Sequence, residues 1–281
     1  MLRRKANGFI LTNKEIVLMS NLCFSITKKG IMHRVLFLIL YLLLGTSLFA
    51  QAPLKRPAKP KQQKAEVTKP KPARQKLQIS GTINGHDYVD LGLPSGLKWA
   101  TCNVGATRPE EFGDYFAWGE IEPKDWYDWS TYKWYNDASS KITKYCPDKT
   151  WGTVDNLTTL DLSDDAAYVN MGTAWHMPTE NDMYELINHC NWSKTTLNGV
   201  NGLKGIGPNG NSIFFPFAGD IFRVKSSLDY NEFNAKYWTS SLYECRPRDG
   251  IIFKLDCIDT NFLLVTYESR FTGATVRAVV R

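Results

Sequence analysis

Met183, Leu186, Ile187 and Cys190 repeat at the i, i+3, i+4, i+7 spacing of one helix face. Thr179 stands before that stripe as an N-cap, directly after Pro178, and Glu180 and Asp182 suit the positive end of the helix dipole. The string TENDMYELINHC is therefore expected to be an α-helix. A shorter helix is expected over residues 164–170, capped by Ser163 and ended by Gly172. Beyond Cys190 the pattern reads β. Asn209-Gly210 signals a tight hairpin between Gly-rich sequence and residues 212–217. Strands are expected over residues 237–241, 251–256, 262–267 and 274–280. Ahead of the helices, DYVDLGLPSGLKWATCNVGA alternates apolar positions around a Pro94-Ser95-Gly96 turn and predicts two short strands. Residues 106–160 show little periodicity and read as long loops with short strands. No internal repeat is visible.

The N-terminal 76 residues follow other rules. Val35 to Gly45 form an unbroken apolar run, preceded by Lys28, Lys29 and Arg34 and followed by Thr46-Ser47-Leu48-Phe49-Ala50, with Ala50 a small residue at the expected cut. Positive flank, short apolar stretch and small-residue exit predict a signal peptide cut after Ala50, with an uncleaved signal anchor as the alternative. Met32 is the more natural first residue of such a leader. Residues 51–76 hold five prolines and nine cations with few large apolar side chains, so they predict a disordered, self-repelling tether. The folded domain is then expected over residues 77–281, in a protein that is secreted, periplasmic or on the cell surface.

Charge divides the same way. Of 34 Lys/Arg and 28 Asp/Glu in the chain, residues 77–281 hold 18 and 26, a net of −8. The basic balance of the whole chain thus belongs to its tail, and a folded nucleic-acid surface is excluded. Five cysteines lie in the domain region, Cys102, Cys146, Cys190, Cys245 and Cys257. Export permits disulfides, yet the odd count leaves at least one thiol over.

No chemical motif survives its structural context. Asp161, Asp164 and Asp165 lack the glycine and terminal glutamate of an EF-hand loop and suit helix starts better. His86, His176 and His189 have no paired metal-ligand spacing, so neither a metal nor a cofactor is expected. Gly205-Ile-Gly207-Pro-Asn-Gly210 matches G-x-G-x-x-G in form, but a Phe-rich strand follows it instead of a helix. No nucleophile elbow or zinc-protease motif is present. The remaining feature is DWYDWSTYKWY, Asp125 to Tyr135, with three tryptophans and three tyrosines in eleven residues. Charged residues interleave with these rings, so only some can point inward. Trp126 and Tyr127 are expected at the surface, Trp129 and Trp134 in the core. Asp125, Trp126, Tyr127, Asp128 and Tyr132 are the candidate ligand-binding residues.

The strings VDLGLPSGLKWATCNVGA, GDYFAWGE, DDAAYVNMGTAWHMPTENDMYEL, NGNSIFFPFAG, YWTSS and GATVRAVVR, in that order, resemble the Fibrobacter succinogenes major paralogous domain of secreted Bacteroidota proteins. The resemblance spans roughly residues 80–281. It implies an α+β fold similar to C-type lectin-like and formylglycine-generating-enzyme-like domains, with two short helices, small antiparallel sheets and long loops. Three departures accompany it. His176 stands where the family usually has Arg, the chain ends ATVRAVVR without the common proline, and Glu122-Pro123-Lys124 has lysine where a calcium-binding lectin needs an amide. The expectation is a non-catalytic recognition or adhesion module of the envelope, binding a glycan or protein through aromatic-rich loops. The alternatives are an enzyme of unknown reaction on the same fold and a tethered structural component.

Overall fold

The computed structural model describes residue 75 and residues 77–224, 233–256 and 263–281. The chain divides into two units, residues 1–69 and 70–281, and every described residue lies in the second. The expected leader, most of the expected tether, and Cys257 lie outside the described residues. At the expected boundary, the Gln75 amide donates to Asn198 Oδ1 at 3.0 Å, and Asn198 Nδ2 donates back to the Gln75 carbonyl at 3.1 Å.

Two short helices and several small antiparallel sheets make the domain α+β. Helix α1 spans Ala166–Met171 and α2 spans Glu180–His189. The latter begins as its sequence dictates. Thr179 Oγ1 accepts from the Asp182 amide at 3.2 Å, while the Asp182 carboxylate accepts from the Thr179 amide at 2.8 Å. This reciprocal capping box satisfies two otherwise orphaned donors. Met183 and Leu186 are fully buried and Cys190 nearly so, which bears out the apolar stripe.

The start of α1 corrects the sequence reading. Residues Leu162–Asp164 form a 3-10 turn, and the cap is Asp165, not Ser163. Asp165 Oδ1 accepts from the Ala167 and Tyr168 amides at 2.8 and 3.0 Å. Its other oxygen accepts from Met177 at 2.8 Å, so one carboxylate clasps α1 to the segment leading into α2. A serine hydroxyl lacks the second acceptor oxygen for that clasp.

Strands Gly81–Ile83, His86–Asp90, Lys98–Ala100 and Val279–Val280 form one sheet, joining the two ends of the domain. Asn191–Leu197, Val200–Ile206 and Ser212–Pro216 form a meander. Its first turn places Asn198 and Gly199 at positive φ (49° and 93°), which asparagine and glycine tolerate best. The expected Asn209-Gly210 turn joins its second and third strands. Asn234–Leu242, Asp249–Asp256 and Leu263–Ser269 make a third sheet, interrupted by a bulge between Trp238 and Leu242. The expected strand over 274–280 is realised only at Val279–Val280, since Ala274 and Thr275 make isolated bridges instead.

Two apolar clusters fill the domain, one around Trp99, Phe215, Tyr237 and Phe253, the other around Trp118, Trp175 and Trp238. Two fully buried arginines bind backbone carbonyls in place of carboxylates. Arg277 donates to Asn103 Oδ1 (2.8 Å) and to the carbonyls of Ala100 and Thr101. Arg270 donates to the carbonyls of Lys144 (2.9 Å) and Tyr145. Burial lowers the pKa of both guanidinium groups, and the hydrogen bonds and ring faces below them offset part of that cost. The Arg270 contacts hold the irregular 140s loop against the core. Among the described residues, no helix is long and apolar enough to cross a membrane.

Candidate binding surface

Alternation in a two-residue strand decides the fate of the first two candidate rings. Trp126–Tyr127 pairs with Arg223–Val224, and neighbouring side chains leave a strand on opposite faces. Trp126 is 44% exposed, as expected. Tyr127 is wholly buried, contrary to expectation. Its hydroxyl donates to the Tyr115 carbonyl at 2.6 Å and accepts from the Lys124 amide at 3.1 Å. Burial pushes the phenol pKa up to about 12. The ring occupies space that Gly273 leaves open, where a Cβ would stand 2.9 Å from it. Tyr132 also turns inward, its hydroxyl donating to the Trp118 carbonyl at 2.7 Å, and burial raises its pKa. Neither tyrosine presents its face to a ligand.

Asp128 is spent locally. It caps the 3-10 turn Trp129–Thr131, and Oδ1 accepts from the Ser130 amide (2.9 Å), the Ser130 hydroxyl (2.6 Å) and the Thr131 amide (3.3 Å). Oδ2 accepts from the Trp126 indole N–H. Burial is the largest single influence and opposes ionisation, but the hydrogen bonds from Ser130, Trp126 and Thr131 together prevail and hold the carboxyl below its usual range. Asp128 is thus the mount of Trp126. Asp125, by contrast, is exposed and makes no side-chain hydrogen bond among the described residues.

Trp129 and Trp134, expected in the core, are half-buried at its margin. Trp129 belongs to a strip of rings that local sequence did not reveal. Phe222 meets Phe271 at 5.5 Å between centroids, Phe271 meets Trp129 at 5.0 Å, and Trp129 meets Tyr135 at 4.7 Å. Phe222 is 51% exposed and immediately precedes Arg223–Val224, the strand that pairs with Trp126–Tyr127. At the far end, the Arg248 guanidinium lies 5.2 Å from the Trp129 and Tyr135 rings and 5.8 Å from Trp151. Arg248 Nη2 donates to Tyr135 Oη at 2.9 Å and to the Ser140 carbonyl at 3.1 Å. Phe222 is exposed, Trp129 and Tyr135 are half-buried and Phe271 is buried. The accessible parts of these rings beside a cation form a surface suited to a flat, partly polar ligand.

Next to this strip lies a charge cluster centred on buried Asp164. Its carboxylate accepts from Lys133 Nζ (2.9 Å), Lys144 Nζ (2.7 Å) and Tyr145 Oη (2.6 Å). Lys133 and Lys144 lie 4.3 and 4.9 Å from the Trp134 ring centroid. Burial would raise the Asp164 pKa, but the hydrogen bonds from Lys144, Tyr145 and Lys133 outweigh it and lower the value. All its strong donors are internal, so the cluster reads as a brace for the aromatic loop.

A shallow pocket of about 210 Å³ lies elsewhere, lined by His86, Asp87, Cys102, Asn103 and Thr107 among others. Burial pushes the Cys102 thiol up, and it does the same to Cys146 and Cys190. A raised thiol pKa lowers the population of the nucleophilic thiolate. Cys102, Cys146, Cys190 and Cys245 all carry free thiols. Among the described residues, no three His, Cys, Asp or Glu side chains gather as a metal site. Compared with protein-family models, with curated proteins and with solved structures, the chain matches none.

Proposed function

We propose that this protein is a non-catalytic, exported recognition module that binds a glycan or protein through the surface carrying Trp126, Phe222, Trp129 and Arg248. The observation that carries the reading is the mounting of Trp126. Its ring is exposed although a 44% accessible indole gains little from water, and its N–H is already satisfied by a carboxylate fixed by three other donors. A ring held in one orientation loses little entropy on binding, which is how an aromatic contact contributes most to affinity. The half-buried rings of the strip extend the same surface. The order of elements, two helices followed by a β-rich half with long loops between, supports reading the fold as C-type lectin-like. Export rests on the apolar run ending near Ala50.

The test is retention of the purified protein on immobilised polysaccharides and in a glycan array, comparing wild type with Trp126→Ala. Loss of retention with an unchanged melting temperature is the expected result. Retention unaffected by the substitution overturns the assignment of this surface.

A further inference from the structure

Arginine pairing in the domain is uneven. Of its seven arginines, Arg108, Arg246 and Arg281 pair with Glu110 and Glu111, Asp249 and Asp182 respectively. Arg270 and Arg277 are fully buried on backbone carbonyls. Only Arg223 and Arg248 remain, and neither has a carboxylate partner among the described residues. Unlike the two buried arginines, both are outside the core, in a domain of net charge −8 that offers many carboxylates. Both sit on the same strip of rings: Arg223 is 5.6 Å from Phe222 at one end, and Arg248 lies among Trp129, Tyr135 and Trp151 at the other.

The state of each guanidinium points the same way. Arg248 Nη2 is engaged by neutral oxygens, and Nη1, which is not buried, makes no hydrogen bond with any described residue; Nε is buried without an acceptor, as are Arg270 Nε and Arg277 Nη2. Nη1 is therefore the donor of this permanent cation that an acceptor from outside can meet. Arg223 holds its backbone at φ 71°, a conformation costly for a residue with a side chain and most often kept where function demands it. Aromatic faces between two open guanidinium groups match a chain that alternates flat apolar faces with carboxylates.

We infer that the strip binds an acidic polysaccharide, with sugar rings on the aromatic faces and uronate carboxylates on Arg248 and Arg223. This rests on the recognition reading above and names the ligand class for its surface. A planar guanidinium fork matches a carboxylate in geometry as well as charge, and lysine does not. The domain's own negative charge repels polyanions in general, so any such binding is local.

Binding is measured with polygalacturonate and alginate, each against its carboxyl-reduced, neutral counterpart, at physiological salt. Wild type is expected to prefer the acidic forms. Arg248→Gln and the more exposed Arg223→Gln should each weaken acidic binding roughly ten- to a hundredfold, the loss of a charge-assisted hydrogen bond, and weaken binding of the neutral forms by a clearly smaller factor. Arg248→Lys should recover only part of the loss. Equal binding of acidic and reduced forms overturns the inference and leaves the recognition reading standing. Trp126→Ala separates the two further, because it should weaken both forms. Failure to bind any polysaccharide, with capture of peptides instead, refutes the acidic-glycan assignment and moves recognition to protein. Arg223→Gln keeps the test open should Arg248→Gln prove unstable.

Discussion

Replacing Tyr127 by alanine, beside the same replacement at Trp126, separates two adjacent aromatic residues that the structure sends in opposite directions. Tyr127 is fully buried, with its hydroxyl bonded to the Tyr115 carbonyl and the Lys124 amide. Removing the ring opens a cavity beside Gly273 and Ile221 and leaves the two backbone groups without their partner. Large-aromatic truncations of this kind cost about 3–5 kcal/mol. Tyr127→Phe keeps the ring and loses only the hydroxyl, for about 1–3 kcal/mol. Trp126→Ala removes an exposed ring and one surface hydrogen bond, for about 1 kcal/mol or less. At about 2–4 °C per kcal/mol for a domain of this size, Tyr127→Ala should lower the melting temperature by roughly 6–20 °C. Denaturant midpoints and calorimetry on the three variants give the comparison. Phenol ionisation provides a second readout. A folded-state pKa raised to about 12 means that the native state holds the proton more tightly, so stability is intact below pH 10 and declines between pH 10 and 12. Tyr132 and Tyr145 are shifted the same way, so Tyr127→Phe should reduce this decline without abolishing it. A Tyr127→Ala protein as stable as wild type, or a Trp126→Ala protein that unfolds, would refute the assignment of inward and outward faces.

Asp164→Asn should destabilise by about 1–3 kcal/mol, since Lys133, Lys144 and Tyr145 lose a shared anion and the two lysines keep some solvent. Because the native carboxyl pKa is lowered, its contribution is present above pH 4 and lost below it, and acid-denaturation curves of the variant should be flatter in that range. Gly273→Ala places a Cβ 2.9 Å from the Tyr127 ring and 3.1 Å from Ile221 and should cost about 1–3 kcal/mol. A double-mutant cycle with Tyr127→Ala should then show strong coupling, and additive effects would mean that the two sites do not share space.

Several elements were legible in residue order because their determinants are local. Thr179, Asp182 and the Met183–Leu186 spacing lie within eight residues, and α2 appears where they place it. The connection at Asn209-Gly210 is likewise local, a Gly207–Gly210 turn in which Gly210 alone takes a positive φ (85°). Ser163 and Asp165 both suit an N-cap in residue order, and what decides for Asp165 is the hydrogen bond donated to it by the Met177 amide, twelve residues on. The interleaved rings correctly implied a divided fate, but not its division. Tyr127 turns inward because Arg223–Val224 pairs across from it and Gly273 makes room, both far along the chain.

The arginines show most sharply where sequence alone ends. By itself the sequence determined the basic tail, the acidic aromatic domain, the order of helices and β-rich half, and the segment that bears Trp126, since composition, periodicity and capping act over a few residues. Nothing local distinguishes Arg270 and Arg277, which bind carbonyls 125 to 177 positions away, from Arg248, which meets three rings and keeps Nη1 accessible. Which rings form a surface, and which cation remains unpaired upon it, is decided only by tertiary packing, because burial and pairing depend on neighbours that chain folding alone brings together.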